Sequence, residues 1–63
     1  MKNMPKLNQM ELNSIREVVT AHQMTANKLN DYAGLCQDPQ VKQMFTTAAS
    51  EAKKSAQTLI QML

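Results

Sequence analysis

Apolar side chains recur along the first half of the chain at intervals that alternate between three and four residues. In a helix with about 3.6 residues per turn, this spacing puts them in one stripe along one side. Asn8 is placed to act as the N-cap of this helix, and Glu11, three residues later, completes a capping box. We therefore predict a flexible N-terminal lead over residues 1–7 and a helix over residues 9–36. The stripe consists of Leu12, Ile15, Val19, His22, Ala26, Leu29, Ala33 and Cys36.

A second stripe follows a break at residues 37–38. Gly34 weakens the last turn of the first helix by about 1 kcal/mol relative to alanine. The residue before a proline avoids the helical region, so Asp38 is expected to be the N-cap of a new helix and Pro39 its first residue. A second helix is therefore predicted over residues 39–63. Its stripe consists of Val41, Phe45, Ala48, Ala52, Ala56, Leu59 and Leu63, flanked by Met44, Ala49 and Ile60.

Two helices of similar length with a two-residue turn between them must pack antiparallel. The pattern thus predicts an all-α fold, a single helical hairpin over residues 8–63. Because two helices share only one interface, such wide stripes would leave apolar surface in water. We therefore expect a homodimer, in which two hairpins form an antiparallel four-helix bundle with twofold symmetry. The residues predicted for this core and self-association surface are Leu12, Ile15, Val19, His22, Ala26, Leu29, Val41, Phe45, Ala48, Ala52, Ala56 and Leu59.

The length and composition of the chain support the expectation of self-association. A chain of 63 residues buries only ~60% of the surface that it exposes when unfolded, so a monomer of this size is marginally stable. One cysteine and one histidine provide neither an internal disulfide nor a closed zinc site. Twenty residues are Gln, Asn, Thr or Ser, and a polar surface without strong net charge tolerates dense association.

Charge and hydropathy argue against nucleic acids and membranes as partners. The net charge is only +2, and Lys53 and Lys54 form the only adjacent basic pair, whereas nucleic-acid binding needs a clustered basic surface. No segment approaches the ~18 consecutive apolar residues of a transmembrane helix. Residues 1–5 lack the apolar region of a signal peptide. An intracellular location is therefore expected.

His22 is the residue that points most directly to chemistry, because it lies within an apolar stripe. It is either a metal ligand or proton acceptor in a bundle core, or a core histidine that bonds a neighbouring side chain or a backbone carbonyl. The second interpretation is favoured, because Glu17 is followed three residues later by Thr20 and Glu51 by Lys54, so neither forms the Glu-x-x-His motif of di-iron bundles. No cofactor is predicted. His22 and Glu51, brought together across a dimer, are the only metal candidates.

Cys36 closes the first stripe and has no partner for catalysis. A nucleophilic thiol needs a nearby base, and His22 lies 14 residues upstream, ~21 Å along the helix. A small, partly buried apolar role is therefore favoured for Cys36. No catalytic residue is predicted, and we expect the protein not to be an enzyme.

Three segments of the chain resemble the coat F domain, a family of short spore coat proteins from endospore-forming Firmicutes. They cover residues 10–16, 22–33 and 37–45, and their most telling parts are Ala-Asn-Lys-Leu-Asn-Asp-Tyr at 26–32 and Asp-Pro-Gln-Val-Lys-Gln at 38–43. The resemblance extends over about residues 7–63. It implies a ferritin-like fold of which one hairpin is half, and a structural role in the spore coat after synthesis in the mother-cell cytoplasm. Other spore coat proteins are then further expected partners.

The resemblance also bears on the metal candidates. His22 stands where the first helix of ferritin-like proteins offers a carboxylate, and Glu51 stands near their Glu-x-x-His region, with Lys54 in place of the histidine. The alternative function is therefore a degenerate ferritin-like metal-binding protein that uses His22 and Glu51 across a dimer. A third possibility is an adaptor hairpin that offers its apolar surface to a different protein.

Overall fold

The computed structural model describes residues 6–63, which form two α-helices and no strand. Helix α1 spans Gln9–Leu35 and helix α2 spans Pro39–Ile60. The helices pack against each other along their length, and three residues, 36–38, connect them, so α2 runs back along α1. The predicted all-α helical hairpin is therefore confirmed. Of the predicted N-terminal lead, residues 1–5 lie outside the described part of the chain.

The capping residues act as the sequence predicts. The Asn8 side chain accepts a hydrogen bond from the Glu11 backbone N–H at 2.8 Å, and the Glu11 carboxylate accepts one from the Asn8 backbone N–H at 3.0 Å. At the second start, Asp38 Oδ1 accepts from the backbone N–H groups of Gln40 and Val41 at 2.8 and 3.3 Å. Both sets of bonds satisfy donors that the first turn of a helix leaves without an intrahelical partner.

Both helices end earlier than the sequence pattern indicates. Cys36 is the C-cap of α1 in an extended conformation, with its N–H bonded to the carbonyls of Tyr32 and Ala33. After Ile60, the N–H of Met62 bonds to Leu59 O and that of Leu63 to Ile60 O. These bonds span three residues rather than four, so the chain tightens into a turn, as the ends of helices commonly do. The apolar stripe continues past Ile60, but the helix does not.

Small residues form the center of the α1–α2 interface. The buried residues are Val19, Ala26, Ala33, Ala49 and Ala56, and they recur every seven residues within each helix. Near the turn, the rings of Tyr32 and Phe45 lie 5.6 Å apart and tilted by 59°, a favourable geometry for an aromatic pair. The Cα atoms extend over only 46 × 23 × 9 Å. The hairpin is thus one flat layer with a narrow core.

Candidate functional site

A groove with a mainly polar lining lies between the two helices on one face of the hairpin. The groove has a volume of about 640 Å³ and is open to solvent. Two buried alanines, Ala26 and Ala56, form its floor. Its polar lining comes from both helices and consists of Gln23, Asn27, Ser50, Lys53, Lys54 and Gln57, a surface that we call the lysine groove.

Helix geometry determines which residues lie opposite the lysine groove. Nine residues amount to two and a half turns, about 180° around the helix axis. On α1, Val18 is nine residues from Asn27, and Tyr32 is nine residues from Gln23. Since Asn27 and Gln23 line the groove, Val18 and Tyr32 lie on the other face of the hairpin.

The same relation holds on α2 and completes an apolar face. Val41 is nine residues from Ser50, Met44 is nine from Lys53, and Ala48 is nine from Gln57. We call the surface formed by these three residues together with Val18 and Tyr32 the apolar face. The exposed fractions are 41% for Val18, 44% for Tyr32, 40% for Val41 and 70% for Met44. Large apolar side chains from both helices are thus exposed together, opposite the polar groove.

The residues predicted to form the core and self-association surface differ in how far they are buried in the hairpin. Val19, Ala26 and Ala56 are buried, and Val41 is exposed. The other eight are half-buried: Leu12, Ile15, His22, Leu29, Phe45, Ala48, Ala52 and Leu59. These side chains are only partly covered, because a single pair of helices cannot surround a leucine or a phenylalanine.

Ala49 is buried, although the stripe pattern puts it beside the core of α2. Ala49 and Ala56 are seven residues apart, the same interval that separates Val19, Ala26 and Ala33 on α1. A seven-residue repeat is typical of helices that pack side by side with a slight supercoil. The repeat does not single out Ala49 from the sequence alone, since other apolar positions of α2 share the same spacing.

His22 bonds to its own helix. Its Nδ1 lies 2.9 Å from the carbonyl oxygen of Val18. Since a carbonyl oxygen only accepts, a hydrogen bond between these two atoms has Nδ1 as its donor. The histidine is half-buried and Glu51 is exposed. This bond fits both interpretations of His22, because a metal-ligating histidine also commonly donates its second ring N–H to a backbone carbonyl.

Within residues 6–63 of one chain, no three His, Cys, Asp or Glu side chains lie close enough together to hold a metal ion. A site built from His22 and Glu51 would therefore need ligands from a second chain, and it stays a prediction. Cys36 is half-buried and free, at the end of α1 remote from His22.

Neither α1 nor α2 is apolar enough over a sufficient length to cross a membrane. Comparison with family models, with curated proteins and with solved structures finds no match to this chain.

Proposed function

We propose that the protein is a structural, self-associating subunit without catalytic activity, and that two hairpins pack through their apolar faces into a twofold, antiparallel four-helix bundle. The observation that carries this proposal is the exposure of Val18, Tyr32, Val41 and Met44 together on one face. Stable domains consist of at least two packed layers around a core. One hairpin supplies a single layer, and a second supplies the other.

A second copy is the occupant that best fits this face. The apolar residues come from both helices, with Tyr32, Val41 and Met44 near the turn and Val18 near the middle of α1. A twofold axis perpendicular to the face would pair each helix with one of the partner. The buried residues of one hairpin are no larger than valine, which gives a single chain little apolar burial to offset its loss of conformational entropy. The half-buried Leu29 and Ala48 would become enclosed in the dimer.

Two substitutions nine residues apart test the proposal in a matched way. Val18→Asp puts a carboxylate on the apolar face, and Asn27→Asp puts one on the opposite face. Sedimentation equilibrium at a series of concentrations is expected to give a dimer for the wild type and Asn27→Asp, and a shift toward monomer for Val18→Asp. A wild-type chain that stays monomeric and fully helical at low micromolar concentration would contradict the proposal.

We further propose the spore coat as the location of this subunit, on the basis of the sequence resemblance to coat F domains. Helical subunits with amide-rich surfaces suit a dense protein layer. The test is immunoblotting of fractionated spores of the source organism with an antibody against this chain. Recovery in the extracted coat fraction is expected, whereas recovery only from vegetative cells would refute the location and leave the dimer untouched.

A further inference from the structure

We infer that the lysine groove binds an acidic peptide segment of a partner protein. The groove lies on the face opposite Val18, Tyr32, Val41 and Met44. Dimerisation through the apolar face would therefore leave one such groove free on each outer surface of the bundle. The inference goes beyond the proposed dimer and does not depend on it, because the groove is complete within one chain.

The chemistry of the lining selects an anionic ligand. Gln23, Asn27 and Gln57 offer side-chain amide donors, Ser50 offers a hydroxyl, and Lys53 and Lys54 offer ammonium groups. No acidic residue of the described part of the chain lines the groove. None of the side-chain hydrogen bonds within residues 6–63 involves Lys53 or Lys54. Both cations are thus available to a carboxylate, and hydrogen bonds between ionised groups are the strongest of this kind.

The shape of the groove favours a peptide over a small molecule. Small-molecule sites enclose most of their ligand, whereas this groove is an open trough between two helices. From Ser50 to Gln57 it follows α2 for about 10 Å, the length of about three residues of extended chain. The alanine floor adds no bulky side chain, so a peptide backbone can approach closely. A segment with two or three neighbouring carboxylates fits these dimensions.

Nucleic acid fits the groove less well. Proteins that bind single strands combine a basic groove with aromatic side chains on which bases stack. The two aromatic residues of the chain, Tyr32 and Phe45, contact each other near the turn and do not line the groove. Because the groove offers two lysines and no aromatic surface on which bases could stack, it suits the carboxylates of a peptide better than a nucleic acid.

Fluorescence anisotropy with a labelled Gly-Glu-Glu-Glu-Gly peptide tests the inference on the full chain at low ionic strength. Lys53→Ala/Lys54→Ala is expected to weaken binding about tenfold, since each contact between exposed charges contributes roughly two- to fivefold. Lys6→Ala/Lys28→Ala removes the same charge from exposed positions outside the groove and is expected to change binding by less than about twofold. Lys53→Arg/Lys54→Arg keeps the charge and should retain binding.

Three results would overturn the inference. The first is equal weakening by the two alanine double variants, which would indicate attraction by net charge alone. The second is a failure to bind through carboxylates. It would appear either as no binding at ~1 mM protein, which corresponds to a binding free energy weaker than about 4 kcal/mol, or as equal binding of a Gly-Gln-Gln-Gln-Gly peptide. The third is tighter binding of a labelled oligothymidylate that the Lys53/Lys54 substitutions abolish. Sedimentation of the same variants reports dimerisation separately, so failure here is distinguishable from failure of the dimer.

Discussion

Replacement of Met44 by glutamine removes an apolar side chain from the apolar face without a large change in its length. Met44 is 70% exposed in the isolated hairpin, and complete burial of a methionine side chain is worth about 1.5–3 kcal/mol. Complete burial of the exposed part in the proposed dimer would thus be worth about 1–2 kcal/mol per copy. Twofold symmetry doubles this to about 2–4 kcal/mol per dimer. Since ~1.4 kcal/mol corresponds to a factor of ten, Met44→Gln is expected to raise the dimer Kd by about 30- to 700-fold.

Met24 provides the matched control for this substitution. It is 66% exposed, and it lies nine residues from the buried Ala33, so it points away from α2. Met24→Gln therefore makes the same chemical change at similar exposure, outside the apolar face. Sedimentation equilibrium over a range of concentrations gives Kd for both variants and the wild type. Equal Kd values for all three, or equal weakening by both variants, would refute the assignment of the apolar face as the dimer interface.

The remaining predictions concern helix stability and metal binding. Gly34→Ala is expected to stabilise the protein by about 0.5–1 kcal/mol, because Gly34 is helical and an added Cβ would meet nothing within 4 Å. Urea denaturation at fixed protein concentration measures this change, and a lower urea midpoint for the variant would contradict it. Asn8→Ala is expected to cost about 1 kcal/mol, since it removes the side-chain acceptor of the Glu11 N–H; an unchanged urea midpoint would show that this cap is dispensable. Anaerobic Fe(II) titration is expected to give no stoichiometric uptake by the wild type, because one chain holds no group of three candidate ligands within residues 6–63. Saturable uptake that His22→Ala abolishes would instead favour the alternative of a metal site formed by His22 and Glu51.

Local features of the sequence are sufficient to locate the start of each helix. The Asn8 and Glu11 capping box and the Asp38-Pro39 pair act through hydrogen bonds that span two or three residues. Such bonds depend on nearby residues alone, so they can be predicted without knowledge of the rest of the fold. The helix ends are less predictable, since no glycine or proline follows α2, its C-cap Gln61 keeps a right-handed helical conformation, and the helix stops at Ile60 although its apolar pattern continues.

The sequence by itself thus determined two capped helices, a short turn between them, and therefore a hairpin. Only the tertiary structure decided how each helix is rotated about its axis, which buries Ala49 and leaves Val41 exposed. An apolar stripe is several side chains wide, so it indicates which side of a helix is buried without fixing the exact rotation of the helix about its axis. The close approach of one helix to the small side chains of the other fixes the rotation, and this is a contact between residues distant in sequence. The same rotation separates the apolar face from the lysine groove, so both candidate surfaces follow from packing that no local pattern specifies.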